Sequence, residues 1–182
     1  MRKLTFATLF VTLMAQQALA GSVQSGPQVG QKIPGPFRPL NLTGPEAGQH
    51  SCLYCKYGPR PVVMIMAREI TPAVARLLAM VDAATKANSE ARLGNFAVFL
   101  GDPARLSVPV KQLGKSQNLS ACVLAVAPAA PDSYAIAPEA AVTVVLYRQA
   151  TTKANHAFRA GELDDKAIDA ILADLGKMLS EK

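Results

Sequence analysis

Four nearly continuous apolar runs constrain what this chain can become. They are Pro61-Val-Val-Met-Ile-Met-Ala67, Phe96-Ala-Val-Phe-Leu100, Ala121-Cys-Val-Leu-Ala-Val126 and Ala141-Val-Thr-Val-Val-Leu-Tyr147. Runs of this length, bounded by proline, glycine or charge and lacking polar alternation, read as strands buried on both faces. Such a sheet needs cover on both sides, and the sequence between the runs provides it. Thr71-Pro72 is a helix start, with Thr as N-cap and Pro in the first turn. Val74, Leu77, Leu78 and Val81 follow at helical spacing, which predicts a helix over about 72–88. Residues 106–118 carry Leu106, Val110 and Leu113, a helical signal weakened by Pro109 and Gly114. The last helix is predicted from Asp164 to about Leu179, with Ile168, Ile171, Leu172 and Leu175 on one face and acidic residues at its positive end. Residues 154–160 are expected to pair with the fourth run as a hairpin, and Phe37–Thr43 is a candidate short edge strand. The order of elements predicts a single α/β domain with helices on both faces of the sheet.

The first twenty residues lie outside that domain. Met1-Arg-Lys is positive, Leu4–Met14 is apolar, and Ala18-Leu-Ala20 presents small residues before Gly21. That is the layout of a secretory signal peptide, with an apolar stretch too short to span a bilayer. Residues 21–48 form a Gly/Pro-rich N-terminal segment expected to pack on the domain, which occupies residues 49–182. No other stretch reaches membrane-spanning length without charge. The expectation is therefore an exported protein, periplasmic or secreted, with no membrane span once the signal is removed. Half of the 182 residues are hydrophobic and 18% are charged, which excludes wholesale disorder. Arg2 and Lys3 contribute two of the six net positive charges. The remaining cations are scattered, without the basic stripe that nucleic-acid binding requires.

Three cysteines are too few for a disulfide scaffold, but Cys52-Leu-Tyr-Cys55 has the spacing of a pair. In an oxidising compartment that pair closes readily and leaves Cys122 as a free thiol inside an apolar strand. Haem attachment is excluded because Lys56, not His, follows the second cysteine. Three readings stay open. A local structural disulfide would close a loop worth about 2 kcal/mol. A redox pair would draw on Lys56 and Arg60 to stabilise a thiolate. A metal site would take copper or zinc through Cys52, Cys55 and His50, with His156 as the distant ligand. Gly58, Pro59 and Pro61 leave little room for a helix after the pair, so no helix-dipole activation is expected there.

The lead-in Val29-Gly-Gln-Lys-Ile-Pro34, the order of elements, and Val142–Tyr147 followed by a hairpin partner and an amphipathic helix together resemble the thioredoxin-fold superfamily in its peroxiredoxin-like (redoxin) branch. Thr43-Gly-Pro-Glu-Ala-Gly48, Cys52-Leu-Tyr-Cys-Lys-Tyr-Gly58 and Asn155-His-Ala-Phe158 resemble an uncharacterised group of secreted bacterial redoxin-like proteins. The resemblance covers about residues 28–180 and implies a central mixed sheet and a catalytic centre at the helix start after the first central strand. Ile70-Thr-Pro-Ala73 stands there, with no cysteine, and Val142 replaces the proline that precedes the penultimate strand in the family. The resemblance thus implies a protein that is not a peroxidase. Its enzymatic chemistry, if any, would be thiol–disulfide exchange at Cys52/Cys55 with a thiol or disulfide protein partner. A non-enzymatic module that binds a metal or a partner protein is the alternative.

Intact-mass measurement of exported protein should give a chain beginning at Gly21. A mass that retains Met1–Ala20 would overturn the exported reading.

Overall fold

The structure, a computed structural model, describes residues 23–181; the signal-peptide layout lies outside them. Six strands form one sheet in the order β1-β4-β3-β2-β5-β6. The strands are β1 (Leu40–Asn41), β2 (Val62–Ala67), β3 (Gly94–Leu100), β4 (Val123–Ala127), β5 (Val142–Arg148) and β6 (Thr151–Phe158). The helices are α1 (Leu53–Tyr57), α2 (Pro72–Ala87), α3 (Pro103–Ser116) and α4 (Asp165–Ser180). Strands β2, β3 and β4 run parallel, while β5 pairs antiparallel with β2 and β6 antiparallel with β5.

Each apolar run became a strand because each is buried on both faces. Every residue of β2, β3 and β4 is buried. Val63, Ile65, Ala97, Phe99, Leu124 and Val144 face a core shared with α2, α3 and α4. Met64, Met66, Phe96, Val98 and Val145 face a second core. The cover is uneven. The three long helices lie on the first side; the second is closed by α1, a turn at Asp132–Tyr134, and the N-terminal segment through Ile33 and Phe37. The two crossovers β2–α2–β3 and β3–α3–β4 step in the same direction across the sheet, which puts both helices on one side if both are right-handed.

The N-terminal segment, irregular as its prolines require, is fastened by specific hydrogen bonds. Ser25 Oγ pairs with Thr143 Oγ1 at 2.7 Å, and Asn155 Nδ2 donates to the carbonyls of Ser25 and Pro27, both at 2.9 Å. Along the outer edge of β6 the Gly30 N–H donates to the Thr152 carbonyl and the Thr152 N–H donates to the Gln31 carbonyl, both at 2.9 Å.

Several local expectations are revised. The edge strand expected over 37–43 shrinks to Leu40–Asn41, because only there does the chain lie flat against β4. Helix α3 begins earlier than expected, at Pro103, where the Asp102 N-cap accepts the Ala104 N–H at 2.9 Å; Pro109 is tolerated on its exposed side. Cys122 stands just before β4 rather than inside it, still buried. Most consequential, a helix does follow Cys52. It lasts five residues, and its register is set by Leu53 and Tyr57, spaced i, i+4 and both buried in the second core. The breakers still end it: Gly58 is its C-cap, so the helix starts within the pair and stops two residues past Cys55.

One buried charge ties the parallel half together. Asp82 on α2 is 2% exposed and accepts the backbone N–H groups of Ser120, Ala121 and Cys122 at 3.1, 2.7 and 2.7 Å, while Lys86 pairs with its other oxygen at 2.7 Å. Burial opposes ionisation, but Lys86 and these N–H donors outweigh it and hold the carboxyl below its ordinary range. A depressed folded-state pKa stabilises the fold above the unfolded value of about 4 and loses that contribution as pH falls through the folded one. Asp82→Ala should therefore cost on the order of 2–4 kcal/mol at neutral pH by orphaning three donors. Urea unfolding at pH 7 and below pH 4 should show the difference from wild type shrinking in acid.

Candidate functional site

Cys52 and Cys55 are joined by a disulfide with their Cα atoms 5.3 Å apart. Cys52 is the N-cap of α1, and its Sγ accepts the backbone N–H of Cys55 at 3.1 Å. Cys55 is exposed, whereas Cys52 is half-buried. The short helix is anchored from beneath. Leu53 is fully buried, and Tyr57 stacks on Phe96 at 6.0 Å and donates its hydroxyl to the Asn95 carbonyl at 3.0 Å. Gly94 makes that approach possible, since a Cβ there would come within 2.3 Å of the Tyr57 ring. Tyr54 is half-buried with its ring 6.3 Å from Tyr147. Burial pushes the phenols of Tyr57, Tyr134 and Tyr147 well above their ordinary range, so this tyrosine layer stays neutral under the disulfide.

The pair lies before β2 in the chain and on the sheet face opposite α2. Ile70-Thr-Pro-Ala73 sits after β2, where the resemblance implied a nucleophile. Thr71 Oγ1 accepts the Val74 N–H at 3.2 Å and is occupied as the α2 cap. A cavity of about 330 Å³ opens there, lined by Thr71, Ala73, Val142, Arg159 and Leu163 among others, and no cysteine reaches it. Val142 pairs with Ala67 as ordinary strand.

The other sequence candidates are scattered. His50 is exposed, with Nδ1 3.2 Å from the Arg38 carbonyl. His156 on β6 is half-buried on the α4 side, where its Nε2 meets Asp174 Oδ2 at 3.1 Å. Among the described residues no three His, Cys, Asp or Glu side chains form a group fit to hold a metal ion. The ligand set Cys52, Cys55, His50 and His156 is thus not assembled, because the sheet separates His156 from the disulfide and both sulfurs are bonded to each other. Cys122 is the free cysteine; burial first, then the Asp82 carboxylate, raise its thiol far above the ordinary range and leave it unreactive.

Sequence reasoning missed Asp82, Asp174 and Gly94. Asp82 carried a signal, a charge directly after Val81 within the apolar pattern of α2. The partners of Asp174 and Gly94 are distant in sequence and left none.

No family model matches the sequence, and no curated protein matches it. Solved structures do. A "putative protein disulfide isomerase" from Bacteroides thetaiotaomicron superposes with a TM-score of 0.64 at 15% identity, over 87% of this chain and 96% of that one. Peroxidoxin BcpB from Mycobacterium tuberculosis gives 0.58 at 15% identity over 86% and 98%. The reduced 2-Cys peroxiredoxin of Plasmodium vivax gives 0.60 at 13% identity over 82% and 81%.

The fold is thioredoxin-like.

Within a thioredoxin-like fold the helix start after β2 is the place expected to carry chemistry, and here it carries Ile70–Ala73. The sole disulfide among the described residues stands on the opposite face, on the five-residue helix α1.

Native alkylation should leave Cys122 unlabelled over hours. After mild reduction Cys55 should label faster than Cys52, as peptide mapping would resolve. Rapid labelling of Cys122 in the folded state would overturn its placement.

Proposed function

We propose that this is an exported thioredoxin-fold protein whose chemistry is thiol–disulfide exchange at Cys52–Cys55, moved away from the fold's usual helix start. The observation that carries this reading is the asymmetry of the pair: Cys55 is exposed, and half-buried Cys52 receives a hydrogen bond on its sulfur. An incoming thiolate reaches Cys55 Sγ and forms a mixed disulfide there. The Cys52–Cys55 bond breaks, its electron pair goes to Cys52 Sγ, and the Cys55 N–H stabilises the departing thiolate. A second thiolate, or Cys52 itself attacking back, releases the mixed disulfide. Export is supported by the Met1–Ala20 layout and suits a protein that keeps this pair oxidised. A peroxidase function has no support, since no cysteine stands at the α2 start.

A structural reading also has an observation in its favour. Leu53 and Tyr57 seat α1 on the sheet, and the disulfide closes the helix's first turn. That closure is worth about 2 kcal/mol.

The deciding experiment traps the intermediate. A Cys52→Ser variant keeps the exposed Cys55 thiol and lacks the sulfur that resolves it, so it should accumulate a mixed disulfide with a disulfide substrate such as insulin. Wild type should reduce insulin with dithiothreitol more slowly than an ordinary thioredoxin, and Cys52→Ser/Cys55→Ser should not do so at all. Peroxide consumption should match the protein-free control. A wild type no faster than the double variant, with about 2 kcal/mol lost from the latter's stability, would establish the structural disulfide instead.

A further inference from the structure

The chain around the disulfide is one-signed on the Cys55 side. From Cys52 to Arg60 there are two cations, Lys56 and Arg60, and no acid. Neither cation has a carboxylate partner among the described residues. Exposed Lys56 rests its Nζ 5.6 Å from the Tyr57 ring centroid, and Arg60 is half-exposed one turn beyond. Arg38, whose carbonyl meets His50, is likewise exposed and has no ion pair among the described residues. The nearest acid in the preceding loop, Glu46, is on the Cys52 side, where its carboxylate accepts the Ser51 hydroxyl at 2.7 Å. Surface cations on a solvated protein ordinarily interleave with acids. Exposed Cys55 is thus followed directly by Lys56 and then by Arg60, both without a carboxylate partner among the described residues, while Glu46 is held by Ser51, the residue before Cys52.

We infer that the exchange site is selective for anionic thiols, such as small peptide thiols carrying carboxylates, and that Lys56 and Arg60 set this selectivity. The inference rests on the exchange reading and adds the substrate class. Attack on Cys55 Sγ brings a second negative group toward the patch along with the thiolate. The field of unpaired cations raises the local concentration of such thiols and lowers that of cationic ones. The bond chemistry is unchanged: RS⁻ joins Cys55 Sγ, Cys52 Sγ leaves as thiolate, and a second RS⁻ releases RSSR and the dithiol protein. The oxidant is the protein's own disulfide, and the reductant is the thiol. Lys56 and Arg60 take no part in the bond changes and act as positioning residues.

Stopped alkylation with mass readout measures the reduction rate of the oxidised full-length mature protein. The probes are 2-mercaptoethanesulfonate (anionic), 2-mercaptoethanol (neutral) and cysteamine (cationic), each rate expressed per thiolate. At low salt the anionic probe should outrun the cationic one by roughly five- to tenfold, with the neutral probe between. The ratio should collapse toward one in 1 M salt, where the Debye length is about 3 Å. Lys56→Glu/Arg60→Glu should invert the order, and Lys56→Glu alone should flatten it if the double variant folds poorly. Equal per-thiolate rates, or a preference that ignores salt, would overturn the selectivity and leave exchange standing. Failure of all three thiols to reduce the disulfide would remove the exchange reading and this inference together.

Discussion

The hydrogen bonding of β2 on both of its edges is the constraint from which the rest of the architecture follows. Val62–Ala67 pairs parallel with β3 and antiparallel with β5, residue for residue, and all six of its side chains are buried. A strand with no free edge and no exposed face cannot slip by one residue, since a slip would exchange every side chain between the two cores. Its fixed register places α2 on one face and leaves the other to be filled by whatever precedes the strand. Because β2 has both neighbours, the N-terminal segment and α1 pack across the sheet or at its two outer edges, where β1 joins β4 and where residues 30–32 run beside β6.

That packing explains why a five-residue helix exists at all. An isolated helix of this length is unstable in water. Here Leu53 is fully buried and Tyr57 lies on Phe96 over a glycine that leaves room for its ring. The disulfide sits on top of this platform, with one sulfur turned toward solvent and the other in the cap. The neutral tyrosine layer below gives it no acid–base partner. On the proposed exchange reading, its chemistry would draw on the cap hydrogen bond and on the cations of the same short segment.

The parallel half relies on a different device. Asp82 places a carboxylate where the chain leaves α3 for β4 and gathers three consecutive backbone donors, so the entry to β4 is fixed by α2 rather than by its own strand pairing. This also buries Cys122 and removes it from chemistry. The His156–Asp174 contact and the Asn155 bonds to Ser25 and Pro27 perform a comparable service at the other edge, fastening β6 to α4 and to the N-terminal segment.

By itself the sequence determined the elements whose signal is local and repetitive: the four buried strands, α2 with its Thr71-Pro72 start, α4 with its Asp164 cap, the hairpin of β5 and β6, and the absence of a cysteine at the start of α2. Burial on both faces selects continuous apolar runs, and a helical face selects a period near 3.6, so both are legible without knowing what they pack against. The pairing of Cys52 with Cys55 was legible as spacing. Tertiary structure alone decided that α1 forms despite the prolines after it, that the disulfide faces away from α2, that Cys55 is its exposed member, and that His50 and His156 do not join it. These depend on contacts between residues far apart in the chain, Tyr57 with Phe96 and His156 with Asp174. The energy that fixes them resides in the packed sheet and in no local run of residues.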